Sequence, residues 1–145
     1  MNENQIRLVQ ASFASVKPIQ ETAAGLFYGR LMEIDPSTRP LFAATDMKKQ
    51  GAKLMAAMAF VVHGLTRPET ILHQLRSLAH RHVAYGVEDR HYESVGAALL
   101  WTLEAGLGAA WTPALRDAWA AAYALLSGAM IEAAHQAVPG LHEAA

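Results

Sequence analysis

Apolar positions along the chain recur at spacings of three and four, in runs cut by proline, glycine and small polar residues. That period belongs to helices with one buried face, and apolar and polar residues nowhere alternate for long enough to make a half-buried strand. The breaks set the helix boundaries. A first helix is expected from about Glu3 to Val16, and Pro18 opens a second that ends near Ile34. Asp35-Pro36 pairs a capping side chain with proline at the first helical position, so a short third helix should carry Ser37 to Phe42. Thr45 or Asp46 caps the next, which runs to His63 and is closed by Gly64. Pro68 starts a helix reaching Ala84 or Tyr85 and stopping at Gly86, and Asp89 begins another that ends at Gly106 to Gly108. Thr112-Pro113 repeats the cap-plus-proline signal and opens the last long helix, expected to end before Pro139-Gly140. About seven helices of unequal length with short connectors make one domain over residues 1–145. Unequal lengths favour an irregular all-α fold of crossed helices over a regular up-and-down bundle.

Composition agrees with that reading and removes several functions. The chain has 29 alanines against 13 valines and isoleucines together, a bias towards helix and away from strand. It has no cysteine, which excludes disulfides, thiolate zinc sites, iron–sulfur clusters and thiol nucleophiles. With 12 basic and 13 acidic residues, it has no basic footprint for a nucleic-acid partner. The longest apolar stretch, Leu54 to Leu65, is too short to span a bilayer and is interrupted by His63 and Gly64. The opening MNENQIRLVQ lacks the pattern of a signal peptide, so a cytoplasmic location with no membrane partner is expected.

The candidate chemistry lies in the histidines, of which there are seven. Ile71, Leu75, Leu78 and His82 follow one another at intervals of four, three and four, which puts His82 on an apolar stripe. His80 faces nearly the opposite way, beside Arg76 and His73, and the remaining histidines are expected on the solvated surface. An inward histidine is usually a hydrogen-bonded core residue; its functional reading is a metal ligand. The helix from Asp46 to His63 has a second anomaly, since Gln50, Leu54, Met58 and Val61 share the same spacing and put an amide on the inward stripe. Tyr28 lies on the second helix, apolar round most of its circumference, and its hydroxyl needs a partner when buried. These groups either satisfy one another or line a cavity.

Other classes leave weaker traces. Glu88-x-x-His91 and Glu132-x-x-His135 have the spacing of a di-iron carboxylate bundle, but no helix interior supplies the four inward carboxylates such a site needs. Neither a GxSxG elbow nor an HExxH motif is present. Trp101, Trp111 and Trp119 fit core packing better than a base-stacking platform.

Taken in order, the segments FYGRLMEIDPSTRPLF (Phe27–Phe42), QGAKLM (Gln50–Met55), HRHVAYGVEDRHYESVGAALL (His80–Leu100) and LGAAWTPALRDAWAAAYALL (Leu107–Leu126) resemble the globins. The likeness covers about Gln5 to Met130 and is closest to bacterial haemoglobins and the globin domain of flavohaemoglobins, with neuroglobin-like segments. The resemblance implies seven to eight helices crossing at about 50° around haem b, protohaem IX with its iron. It implies His82 as proximal iron ligand, five residues before Val87 in a KHxxxGV-like segment. Phe42 would pack on the haem face, Gln50 and Leu54 stand over the iron, Lys53 meet a propionate and Tyr28 act as distal tyrosine. Val87, Val95 and Leu99 would be apolar haem contacts, with Tyr92 behind the proximal histidine. With Gln50 in place of a distal histidine, the bis-histidine ligation of neuroglobin is not expected.

The implied function is reversible binding of oxygen, nitric oxide or carbon monoxide, for oxygen transport or for nitric-oxide dioxygenation with a separate reductase, by a monomer or homodimer. The alternative is a haem-based gas or redox sensor signalling to a partner. Two departures from the flavohaemoglobin pattern matter. The glutamate that pairs with the proximal histidine in that group is matched here by Ala134, with Glu132 on another face. No flavin or nicotinamide domain is expected either, since residues 1–145 leave no room for one and carry no GxGxxG fingerprint.

Overall fold

A computed structural model describes residues 1–144, with side chains described through residue 136. Helix α1, Glu3–Val16, begins where Asn2 and Gln5 exchange side-chain and backbone hydrogen bonds in a capping box. A 3-10 turn at Lys17–Ile19, containing Pro18, leads into α2, Gln20–Ile34. The short third helix is a 3-10 segment, Pro36–Phe42, capped by Asp35. Asp46 caps α3, Met47–Gly64, by accepting from the amides of Lys48 and Lys49. Helix α4, Leu72–Ala84, follows a 3-10 turn at Pro68–Thr70, and α5 spans Asp89–Leu107. Helix α6 is Pro113–Ala144. No strand occurs among the described residues, and no described helix is long and apolar enough to cross a membrane.

One boundary differs from the punctuation, and another is reached by a different route: α3 does end at Gly64. Gly64 does not close α3 with a left-handed residue; among the described residues only Gly86 and Gly108 have positive φ. Gly64 is instead a point of close approach, where a Cβ would lie 2.5 Å from Ile71 Cγ2. The last helix also continues past Pro139-Gly140 to Ala144. Proline there forgoes one backbone hydrogen bond without ending the helix.

The main core joins α1 (Val9, Phe13, Val16), α2 (Ala23, Phe27, Leu31), α5 (Ala98, Leu103) and α6 (Leu115, Ala118, Trp119). Trp119 is satisfied there, its Nε1–H donating to Ser12 Oγ at 2.9 Å. A second cluster, Ala79 with Met130 and Ala133, fastens α4 to α6 and is flanked by Leu78, Tyr92 and Leu126. Thus α3 packs chiefly on α2 while α4 packs on α6. These two consecutive helices therefore lean on different supports.

Helices α5 and α6 meet closely at Gly96, where a Cβ would lie 2.7 Å from Tyr123 Cε2. The ring cannot easily swing aside, because Tyr123 Oη donates to the Tyr92 carbonyl at 2.5 Å. Gly96→Ala should therefore destabilise the fold by about 1–3 kcal/mol, the usual cost of overpacking. Urea unfolding should show a lower midpoint with an unchanged slope; an unchanged midpoint would mean that the helices separate at no cost.

Candidate functional site

The stripe on α4 has the register expected from its spacing. Ile71, just before the helix, and Leu75 are buried, Leu78 and His82 are half-buried, and His73, Arg76 and His80 are exposed. His82 Nδ1 lies 2.8 Å from the Leu78 carbonyl one turn back. A carbonyl only accepts, so Nδ1 carries the proton and Nε2 keeps a bare lone pair. Burial pushes the His82 pKa below its ordinary value; the Leu78 hydrogen bond opposes this and the Arg81 charge adds to it. The imidazole is neutral at neutral pH and its remaining nitrogen is a ready ligand.

The chain leaves α4 through a Schellman motif. Gly86 has φ +93°, its N–H bonds the Val83 carbonyl at 3.0 Å, and the Val87 N–H bonds the His82 carbonyl at 2.9 Å. Val87, itself half-buried, thereby fixes the main chain of the histidine five residues earlier. Leu41 of the 3-10 segment sits against this corner, 3.6 Å from where a Gly86 Cβ would be.

A second group forms around Tyr28, which is 7% exposed. Gln50 Nε2 on α3 donates to Tyr28 Oη at 3.3 Å. Phe42 and Phe27 both meet the Tyr28 ring edge-on, with centroids 5.2 Å and 5.0 Å from it. Burial raises the Tyr28 pKa above its ordinary value, with the Gln50 hydrogen bond acting the other way. The hydroxyl therefore keeps its proton at neutral pH. Since Gln50 already donates to Oη, that proton is free to be given elsewhere, and no described residue accepts it.

The structure brings Tyr28, Phe42 and Gln50 together. Leu54 and Leu99 line one small cavity of about 10 Å³ with Phe27. Leu99 also borders a cavity of about 40 Å³ between Met58, Val61 and Trp119. Val95 is half-buried against the main core, and Lys53 is exposed on α3. His82 and Tyr92 stand apart from this group, on the side of the second cluster, with no hydrogen bond linking the two sets. Ala134 is buried at 7% exposure, whereas Glu132 is exposed and, among the described residues, bonded by Gln136 alone at 3.5 Å. No carboxylate among the described residues is hydrogen-bonded to His82.

One expectation fails. His91 is not on the solvated surface but 4% exposed, with Nδ1 accepting the Glu88 N–H at 2.9 Å. It completes the capping box of α5 with Glu88. A period-3.6 reading says little about the first turn of a helix, where side chains fold back on the backbone. Its only advance signal is the Glu88-x-x-His91 spacing, which also suggested a metal pair. His135 is likewise engaged, by Asp89 at 2.6 Å. No group of three or more described histidine, aspartate or glutamate side chains could hold a metal ion.

One bare imidazole nitrogen cannot hold a metal ion by itself. It does suit a metal that brings its other donors in a flat macrocycle. The half-buried apolar side chains Phe42, Leu54, Met58, Val87 and Val95 are the surface such a group would cover, so the residues present fit haem.

Comparison with known proteins agrees. A family profile described as Globin matches residues 25–130. The flavohemoprotein of Bordetella pertussis is 36% identical over 126 residues, covering 86% of this chain and 31% of that protein. An anaerobic nitrite reductase of rice is 30% identical, covering 90% of this chain and 94% of the relative. The chain thus spans about a third of the length of the Bordetella protein. Among solved structures, an engineered carbene transferase from Rhodothermus marinus, which also carries the name of a proposed nitric oxide dioxygenase, superposes with a TM-score of 0.87. It is 25% identical, and the match covers 98% of this chain and 99% of that one. A bacterial globin of Campylobacter jejuni shares the fold, with a TM-score of 0.84 at 21% identity, over 95% of this chain and 99% of its own.

Proposed function

The chain belongs to the globin family, and from that premise we propose that it holds haem b through His82 Nε2 and binds oxygen or another diatomic gas reversibly. Haem supplies a ferrous iron with one protein ligand and one position left open for the gas. Phe42, Leu54, Val87, Val95 and Leu99 would form the apolar walls, Lys53 would meet a propionate, and Tyr92 would back the proximal histidine. Tyr28 and Gln50 are the polar groups on the gas side.

One observation carries the choice of a gas that accepts a hydrogen bond. Gln50 donates to Tyr28 Oη at 3.3 Å, which leaves a buried hydroxyl with its proton uncommitted. A tyrosine meant only to fill space needs no such arrangement. Absorption spectra of the purified protein test the reading: the reduced form should change reversibly on adding and removing oxygen. A protein without haem bands after reconstitution would end it.

Nitric-oxide dioxygenation is a second reading, with electrons from a separate reductase. It is favoured by the Rhodothermus neighbour and the flavohemoprotein relatives. Mixing the oxygenated protein with nitric oxide should yield nitrate in equal amount; oxygen displacement without nitrate would leave gas carriage alone. A cytoplasmic location is proposed with either reading.

The proximal side carries its own prediction. With Ala134 where a glutamate would stand, His82 donates only to the Leu78 carbonyl. A neutral acceptor draws less of the imidazole proton than a carboxylate does, so the histidine stays a weak electron donor. Resonance Raman of the deoxygenated ferrous form should show an iron–histidine stretch in the range of animal oxygen carriers. A high, imidazolate-like frequency would instead require a carboxylate partner, with Glu132 the first to test.

A further inference from the structure

Phe42 ends the 3-10 segment Pro36–Phe42 and packs on Tyr28. Such a helix holds itself poorly: its hydrogen bonds are strained and runs beyond three or four residues are uncommon. This one spans seven residues and contains Pro40, which has no N–H to give. Its seat must be fixed from outside.

Two ties from α5 reach the start of this segment. Ser94 Oγ donates to Asp35 Oδ2 at 3.0 Å, across 59 residues of sequence. Asp35 Oδ1 meanwhile accepts the Ser37 N–H at 3.0 Å and the Ser37 hydroxyl. The second tie is His91, whose Nε2 lies 3.4 Å from Ser37 Oγ. Because His91 Nδ1 accepts the Glu88 N–H, the proton of the neutral ring sits on Nε2 and points to Ser37. The donors run one way, from the start of α5 into the Asp35 carboxylate, and such chains reinforce one another. Ser37's hydrogen bond, together with those from Ser94 and the Ser37 amide and the charge of Arg90, holds the Asp35 carboxyl below its ordinary pKa, against the effect of burial.

We propose that Ser94 and His91 are positioning residues that clamp Asp35 and Ser37 to α5 and thereby set Phe42, and through it the Tyr28 hydroxyl, over the haem. The same helix that carries Val95 and Leu99 on one wall then also fixes the register of the other. This rests on the reading of Tyr28 and Phe42 given above.

Three variants separate the clamp from ordinary stability. Ser94→Ala removes one tie and leaves the Asp35 cap on Ser37 intact. His91→Gln keeps the capping box, in which glutamine serves at this position, but loses the donor towards Ser37. Ser94→Thr keeps the hydroxyl and serves as rescue. The readouts are the carbon monoxide stretching band of the ferrous complex, haem transfer to an excess of another apoglobin, and urea unfolding of the haem-free protein. In Ser94→Ala and His91→Gln the band should broaden towards its position in Tyr28→Phe. Haem loss should rise about 2- to 5-fold, part of the range one net hydrogen bond spans. The double variant should go further, and Ser94→Thr should restore the wild-type band. A wild-type band and haem-loss rate in the double variant, whatever happens to the urea midpoint, would overturn the clamp. If Tyr28→Phe itself left the band unmoved, the distal reading would fall, and the clamp's role with it.

Discussion

His82→Ala should purify without stably bound haem, while His80→Ala keeps it in full. The two side chains lie two positions apart on α4, yet His82 is half-buried on the apolar stripe and His80 is exposed. His82 offers Nε2 because Leu78 holds its other nitrogen. Loss of a group that merely supports a metal ligand costs about 10- to 100-fold in affinity, and loss of the only protein ligand should cost more. The haem-to-protein absorbance ratio after reconstitution measures this directly. The fold should survive, because the imidazole is only half-buried and its truncation empties little of the core. Free imidazole should then restore part of the haem spectrum by filling the gap. An alanine variant that retained full haem with an unchanged ferrous spectrum would remove His82 from the role of ligand. Haem loss in His80→Ala would show that the stripe had been assigned to the wrong face.

Much of this arrangement was legible because it depends on local rules. Caps and prolines mark chain breaks wherever they stand, so Asp35-Pro36, Asp46 and Thr112-Pro113 all open helices where expected. The stripe ending in His82 was legible because helix period and burial coincide over three turns. The tie between Gln50 and Tyr28 was half legible: each polar residue sat on an apolar face, but only the crossing of α2 and α3 makes them partners. What escaped depends on contacts between distant segments. Gly64 ends α3 as a glycine after a helical run usually does, but its close contact with the Ile71 side chain has no signal in the sequence. His91 and Ser94 carry no periodic signal, and their partners Ser37 and Asp35 lie 54 and 59 residues away. Nothing along one stretch of chain announces such a pairing.

Tyr28→Phe should speed oxygen release strongly while leaving carbon monoxide release almost unchanged. Dioxygen in a haem pocket accepts a hydrogen bond well and carbon monoxide poorly, so a donor on the gas side distinguishes them. Tyr28 is the stronger candidate donor, because its proton is uncommitted and its raised pKa keeps it protonated. A neutral hydrogen bond contributes about 0.5–1.5 kcal/mol net, which corresponds to about a 2- to 12-fold change in off-rate. Gln50→Leu should have a smaller effect, since Gln50 Nε2 spends a hydrogen on Tyr28 and acts partly by holding it in place. The double variant should then fall short of the product of the two single effects, as expected for residues in direct contact. Phenylalanine preserves the ring packing on Phe27 and Phe42 and removes only the hydroxyl, so the comparison isolates the hydrogen bond. Stopped-flow displacement of both gases from all three variants supplies the measurement. Equal acceleration of oxygen and carbon monoxide in Tyr28→Phe would mean that the tyrosine acts by occupying space, because lost bulk frees both ligands alike whereas a lost donor frees only the one that accepts.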